Sequence, residues 1–189
     1  MTVSPKQKKR LNREAWLELA MEALSKYGGA RLNVNDLCRD VGVTKGSFYA
    51  HFKDRSDFVE RFLDYWSVKF TENVTSATDA LQDAPPERRL LKLMRVIHEE
   101  QLARYDVAVR AWAAQEEAVA RGVAKVDRQR FEYVREIFRE MGHRGADLEM
   151  RTRIFVVYHS LKEGMRLPPS DMDANREIRR LHAFFVDKP

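Results

Sequence analysis

The chain contains 189 residues, with 34 lysines and arginines against 29 acidic residues, and its net charge is +5. A single cysteine, Cys38, excludes an internal disulfide, and no apolar run reaches the roughly 18 residues that a membrane span needs. Residues 1–13 carry five basic side chains, no acidic one and no apolar core of a secretory signal, which favours a soluble, cytoplasmic protein with no membrane partner.

Apolar residues recur every three to four positions between the few glycines and prolines, which indicates an all-α fold. Gly28 ends the first of these stretches, and Asn33 and Thr44 are placed to cap the second and third. About nine helices are predicted. The first begins between Arg10 and Arg13 and ends at Tyr27, and the fourth is a long helix from Asp54 or Ser56 to Leu81. The others are Val34 to Asp40, Lys45 to Phe52, Glu87 to Ala103, Val107 to Ala114, Val119 to Met141, Asp147 to Met165, and Asn175 to Val186.

The segment from Leu32 to Phe52 has the anatomy of a helix-turn-helix, with two short helices joined by a turn that contains Gly42. In the second helix only Phe48 and Phe52 form an apolar pair, and the other side chains are small or can form hydrogen bonds. One face can therefore pack, and the other is left for a partner. In this motif the start of the second helix meets base edges, while hydroxyls and helix N-termini hold phosphates.

The surrounding residues form a longer pattern: the end of the first helix at Tyr27-Gly28, the frame of Val34, Leu37, Val41, Gly42 and Val43, the run from Thr44 to Phe52, Lys53, and Asp57-Phe58. With this pattern, residues Arg13 to Trp66 resemble the DNA-binding domain of the TetR (tetracycline-repressor) family of bacterial transcription regulators. Two positions depart from the usual pattern: Cys38 stands where a small alanine is common, and Arg55 replaces a frequent lysine. Both changes preserve size or charge.

The resemblance implies that Lys45 and Ser47 read bases and that Tyr49, His51 and Lys53 hold phosphates. Asn33 is equally well explained as a helix cap. The alternative for Tyr49 is a core aromatic, although its hydroxyl favours an exposed position. The basic arm can enter the minor groove or be a solvated tail. The full set of candidate DNA contacts is Lys8, Lys9, Arg10, Asn33, Asn35, Thr44, Lys45, Gly46, Ser47, Tyr49, His51 and Lys53.

The second half offers large apolar side chains with a few polar tips, which suit either a pocket for a small apolar or amphipathic effector or a filled core. The candidate pocket residues are Met94, Ile97, His98, Trp112, Phe131, Phe138, Phe155, Tyr158 and His159. The resemblance also implies a homodimer through the last two long helices. The candidate interface residues, which could instead be core, are Ile154, Val157, Leu161, Ile178, Leu181 and Phe185.

We expect a flexible basic arm at residues 1–13, a helix-turn-helix domain at 10–56, and a ligand-binding and dimerisation domain at 57–187. The expected function is a ligand-responsive repressor that binds a near-palindromic operator as a homodimer. Two alternatives are a protein of this fold that binds or sequesters a ligand without an operator, and a helical enzyme. No catalytic arrangement stands out, and His159 with Glu163 is too small a set for a metal site, so neither cofactor nor metal is expected.

Overall fold

A computed structural model describes residues 11–29, 32–166 and 171–187. Within these ranges the chain forms nine helices and no strand, which confirms the all-α prediction. None of these helices is long and apolar enough to cross a membrane. The helices are α1 Arg13–Tyr27, α2 Val34–Val41, α3 Lys45–Tyr49, α4 from Arg55–Ser67 through Val68–Glu72 to Asn73–Asp79, α5 Pro86–Glu99, α6 Leu102–Ala113, α7 Glu117–Glu140, α8 Gly145–Leu161 and α9 Ala174–Val186.

Side-chain caps begin three of the first four helices. The carboxamide of Asn12 accepts the Ala15 N–H at 2.8 Å, that of Asn33 accepts the Asp36 N–H at 3.0 Å, and the carboxylate of Asp54 accepts the Asp57 N–H at 2.9 Å. Each such cap typically stabilises a helix by about 1 kcal/mol. The predicted cap at Asn33 is therefore confirmed, and of the two predicted starts of α4 the structure has Asp54 as the capping residue.

Several predicted helix boundaries are wrong. Helix α3 ends at Tyr49 and not at Phe52, and α8 ends at Leu161 and not at Met165. The largest difference lies between α5 and α6. The helix expected from Glu87 to Ala103 ends as α5 at Glu99, because Gln101 adopts a left-handed conformation with φ 50°. A new helix, α6, then begins at Leu102, five residues before its predicted start. The glutamine sits at the sharp bend between the two helices and gives no sequence signal of it.

The long helix α4 contains a π-helical segment, Val68–Glu72, between two α-helical parts. Here the Asn73 N–H bonds to the Val68 carbonyl five residues back, which widens the turn. The Phe70 carbonyl accepts a hydrogen bond from Nη2 of Arg130 at 3.2 Å. The widened turn is therefore held open from α7.

Arg130 also forms a buried ion pair with Asp106 of α6. Asp106 is 3% exposed, its carboxylate binds both terminal nitrogens of Arg130, and it accepts a hydrogen bond from Nε1 of Trp66 at 3.2 Å. Nε of Arg130 donates to Thr71 Oγ1 at 3.0 Å. This pair thus joins α4, α6 and α7 at one buried point.

The core of α8 and α9 corrects part of the predicted dimer interface. Phe185 is fully buried between Phe138 and Phe155 of its own chain, with ring centroids 5.8 and 5.2 Å away, and Ile178 is also buried. Neither side chain is available to a partner, so both assignments are wrong. The adjacent Phe184 is 59% exposed instead.

The buried pair generates a prediction about stability. Asp106→Ala should lower the free energy of unfolding by about 3–5 kcal/mol, because it leaves the Arg130 charge buried without its partner. The matched control is Glu117→Ala, which removes the carboxylate of the exposed Glu117–Arg121 pair and should change stability by less than about 0.5 kcal/mol. Urea unfolding measures both, and a loss below about 1 kcal/mol in Asp106→Ala would contradict the prediction.

Candidate nucleic-acid interface

Helix α3 has only five residues and is held by the aromatic side chain at its centre. Phe48 is fully buried, with its ring edge-on to Trp16 of α1 at 5.6 Å and tilted against Phe58 of α4 at 5.4 Å. Phe52, one turn later, packs on both Phe48 and Phe58. These contacts fix how α3 lies on the helices beneath it, so the opposite side of α3 faces outward.

We call that outward side the α3 face. Thr44 occupies the N-cap position in extended conformation, as predicted, but its side chain makes no capping hydrogen bond. The prediction that the Thr44 side chain caps α3 is therefore wrong. The Tyr49 side chain is 53% exposed and touches Phe48 only with an edge-on ring contact, which rules out a core role for it. The members of the α3 face are exposed Thr44, Lys45, Gly46 and Tyr49, and half-buried Ser47.

The turn before α3 sets its direction. Gly42 adopts a left-handed conformation, φ 73° and ψ 33°, and its N–H and that of Val43 bond to the carbonyls of Arg39 and Cys38. Cys38 is buried beneath the turn, and burial raises the pKa of its thiol. This thiol is therefore a packed side chain and poorly suited to redox chemistry.

The turn after α3 is fixed by Asp57. Its carboxylate accepts the backbone N–H of Lys53 at 3.0 Å and an Arg61 side-chain hydrogen bond at 3.2 Å, and the Lys53 hydrogen bond is the main cause that lowers the Asp57 pKa. The Lys53 side chain is exposed beside the α3 face, while His51 is half-buried. Because the hydrogen bond to Asp57 uses only the backbone of Lys53, the ammonium group of Lys53 remains available to a partner.

The other candidates lie apart from the α3 face in the chain. Asn33 caps α2 and its amide also donates to Asp36 at 2.7 Å, which agrees with its capping role. Asn35 is exposed in the first turn of α2. The arm residues Lys8, Lys9 and Arg10 lie outside the described residues.

Comparison with known proteins bears on this domain first. Residues 17–62 match the model of the bacterial regulatory proteins of the tetR family. The HTH-type transcriptional regulator AcrR of Shigella flexneri is 31% identical over 68 residues, which are 36% of this chain and 30% of AcrR. The match to this family thus covers residues 17–62, which hold most of α1, all of α2 and α3, and the start of α4. This chain therefore spans under a third of the length of that curated relative.

Solved structures show that the whole fold is shared with tetR-family regulators. PfmR of Thermus thermophilus has a TM-score of 0.68 at 20% identity, covering 90% of this chain and 96% of its own. AibR, solved in complex with isovaleryl coenzyme A and operator DNA, has a TM-score of 0.71 at 18% identity, covering 94% and 99%. This chain thus shares the overall fold of both proteins.

A junction ties the helix-turn-helix domain to the helices behind it. The guanidinium of Arg55 binds both carboxylate oxygens of Glu116 at 2.7 Å, and Nε1 of Trp112 donates to the same carboxylate at 2.9 Å. This Arg55 contact is the main cause that lowers the Glu116 pKa. A Cβ on Gly29 would lie 2.6 Å from the Trp112 ring, so the chain after α1 also rests on that ring.

Trp112 therefore belongs to the junction, where it lines a cleft with Arg55 and Glu116 rather than a cavity with the other predicted pocket residues, which corrects its predicted role. Its ring packs edge-on against Phe62 of α4 at 5.5 Å. Sequence reasoning missed Glu116 completely, because the pairing partner of Arg55 lies 61 positions away. The loop glutamate carries no local signal of this contact.

The other predicted pocket residues divide between two cavities and the core. Ile97, Phe155 and His159 line a cavity between α4, α5, α6, α7 and α8, here called the inner cavity. Met94, His98 and Tyr158 line a smaller neighbouring space that His159 also borders. Phe138 is fully buried core and Phe131 is half-buried against it, so neither lines the inner cavity.

The packing of α3 predicts opposite outcomes for two adjacent aromatic residues. Phe48→Ala should cost about 3–5 kcal/mol of unfolding free energy, because it empties the centre of the aromatic cluster. Tyr49→Ala should cost less than about 1 kcal/mol, because most of that ring is already in solvent. Urea unfolding followed by circular dichroism compares the two, and similar losses for both would refute this account of α3.

Proposed function

We propose that this protein is a DNA-binding transcriptional regulator, a cytoplasmic repressor rather than an enzyme, which binds a near-palindromic operator as a homodimer. The observation that carries this proposal is the α3 face: a short helix anchored by Phe48 that presents Lys45, Ser47 and Tyr49 outward within a tetR-family domain. The spacing of small and hydrogen-bonding groups on this face suits entry into the major groove. AibR, a protein of this fold with operator DNA in its crystal structure, supports the same reading.

The α3 face divides into two kinds of contact. Lys45 and Ser47, in the first turn of α3, are the proposed base readers, because this end of a recognition helix reaches deepest into the groove. Tyr49, His51 and Lys53, further along, are proposed to hold phosphates, with Thr44, Gly46, Asn33 and Asn35 at the edges of the contact. The arm residues Lys8, Lys9 and Arg10 add basic charge that neutralises phosphates at any sequence.

The proposed dimer uses the surface of α8. Ile154, Val157 and Leu161 are 41%, 54% and 40% exposed, and Met150 continues the same helical stripe one turn earlier. Such a run of apolar side chains in water favours a second copy of the chain through a two-fold axis. A dimer is also what an operator requires, since two α3 helices about 34–36 Å apart read both half-sites.

We propose domains at residues 10–56 and 57–187, preceded by the arm at 1–13, with an effector in the second domain that changes the position of the α3 face. Support comes from α4, which packs on Phe48 through Phe58 and lines the inner cavity through Phe70 and Thr71. Phe70 and Thr71 belong to the π-helical segment, a feature often found at functional sites. One helix therefore touches both the α3 anchor and the proposed effector.

The division of the α3 face makes a testable prediction. Lys45→Ala should bring operator affinity closer to that for unrelated DNA, because it removes a base contact worth about 1–3 kcal/mol. Lys53→Ala should weaken binding to all sequences alike and reduce the salt slope by about one, because it removes a phosphate contact. Fluorescence anisotropy with operator and scrambled duplexes at several salt concentrations measures both.

The matched control for these variants is Lys125→Ala, which removes an exposed lysine of α7, far along the chain from α3. It should leave the affinity, the specificity ratio and the salt slope unchanged. An equal loss of specificity in Lys45→Ala and Lys53→Ala would reject the proposed division. If the protein retains no duplex from a pool of genomic fragments, the proposed function itself is rejected.

The dimer proposal predicts a mass of twice 22.2 kDa at micromolar concentration in sedimentation equilibrium. Val157→Asp should give the monomer mass, because the dimer would bury an unpaired carboxylate at the centre of its apolar stripe. Leu19→Asp, at an exposed apolar position of α1, should leave the dimer intact. A monomeric wild-type protein would refute the proposed dimer. A Val157→Asp variant that stays dimeric would show that α8 is not its interface.

A further inference from the structure

The inner cavity is enclosed mainly by apolar side chains. Its walls include Phe70 and Val74 of α4, Leu93 of α5, Val134 of α7 and Phe155 of α8. About 50 Å³ of it is open to the centre of a water molecule, several times the roughly 10–15 Å³ that one water needs. The cavity can therefore take a molecule built around one small ring.

The charged groups at the wall of the inner cavity are already paired with each other. Arg130 directs its three guanidinium nitrogens to Asp106, Thr71 and the Phe70 carbonyl, and Asp106 in turn binds Trp66. The Tyr133 hydroxyl donates to Asp79 at 2.7 Å. These groups have no net charge to offer, so the cavity disfavours an ionic guest.

His159 differs from all of them. Its side chain is 8% exposed, its ring lies 4.4 Å from that of Phe155, and both Nδ1 and Nε2 are buried with no hydrogen-bond partner among the residues that the structure describes. Burial, with a smaller contribution from the charge of Lys162, lowers the His159 pKa to about 3, so the ring is neutral at physiological pH. A neutral imidazole has one donor and one acceptor nitrogen, and leaving both unpaired in a core costs stability.

We propose that the inner cavity binds a small, uncharged, mostly apolar molecule with a single hydrogen-bonding group, and that His159 forms a hydrogen bond to that group. The apolar walls give the guest its affinity, and the imidazole selects compounds with a hydroxyl or carbonyl over plain hydrocarbons. This inference gives the chemical class of the effector and rests on the proposed function.

Three single-ring probes test this selection by calorimetry on the full-length protein without DNA: phenol, toluene and benzoate. Phenol and toluene have almost the same shape, so the hydroxyl alone should make phenol bind about tenfold more tightly. Benzoate should bind more weakly than phenol, because its charge would have to leave water for a cavity without a free cation among its described lining residues. Because no DNA is present, failure here is distinguishable from failure of operator binding.

His159→Phe should retain toluene binding and lose the preference for phenol, whereas His98→Phe, at a histidine outside the inner cavity, should keep that preference. A second measurement needs no variant: phenol should shift the His159 imidazole resonances of the unsubstituted protein, and toluene should shift them much less. Equal affinity for phenol and toluene, tighter binding of benzoate, or no binding of any probe would each overturn the proposal.

Discussion

The orientation of α3 depends on the burial of one ring. A helix of five residues has almost no stability by itself, since helix formation needs several turns to offset its nucleation cost. Phe48, packed between Trp16, Phe52 and Phe58, supplies from tertiary contact what the short helix lacks. The polar side chains of the α3 face are therefore not needed to hold the helix in place. A face that makes few contacts within its own chain can carry whichever groups a partner requires.

The same aromatic packing continues along α4 towards the C-terminal helices. Phe58 packs on Phe62, and Phe62 packs on Trp112 of α6, which Glu116 holds from the side. Further along α4, the π-helical segment contributes Phe70 and Thr71 to the wall of the inner cavity. Allosteric coupling typically amounts to about 1–3 kcal/mol, comparable with a few such contacts. A guest that shifts the π-helical segment therefore needs to alter only a few ring contacts to change the position of α3.

Sequence reasoning located what local signals specify and failed where distant partners decide. Asn33 and Gly42 mark the ends of α2 by their own chemistry, and the string around Phe48 was enough to identify the α3 face. An apolar stripe, in contrast, does not say which neighbour will cover it. Phe185 and Phe184 are adjacent in sequence, yet the first fills the core and the second is exposed. The junction of Trp112 with Glu116 was hidden for the same reason, because its third member, Arg55, belongs to a helix far away in the chain.

The Arg55–Glu116 bridge has a consequence for how ionic strength acts on this protein. Half of the Arg55 side chain is in solvent, so dissolved ions screen its attraction to Glu116. Salt therefore has two effects on this protein. It screens the outward-facing charges that would bind a partner, and it weakens the ion pair between α4 and the loop before α7. A titration with salt reports the sum of an intermolecular and an intramolecular effect. Replacing the bridge with an uncharged pair of similar shape would separate the two.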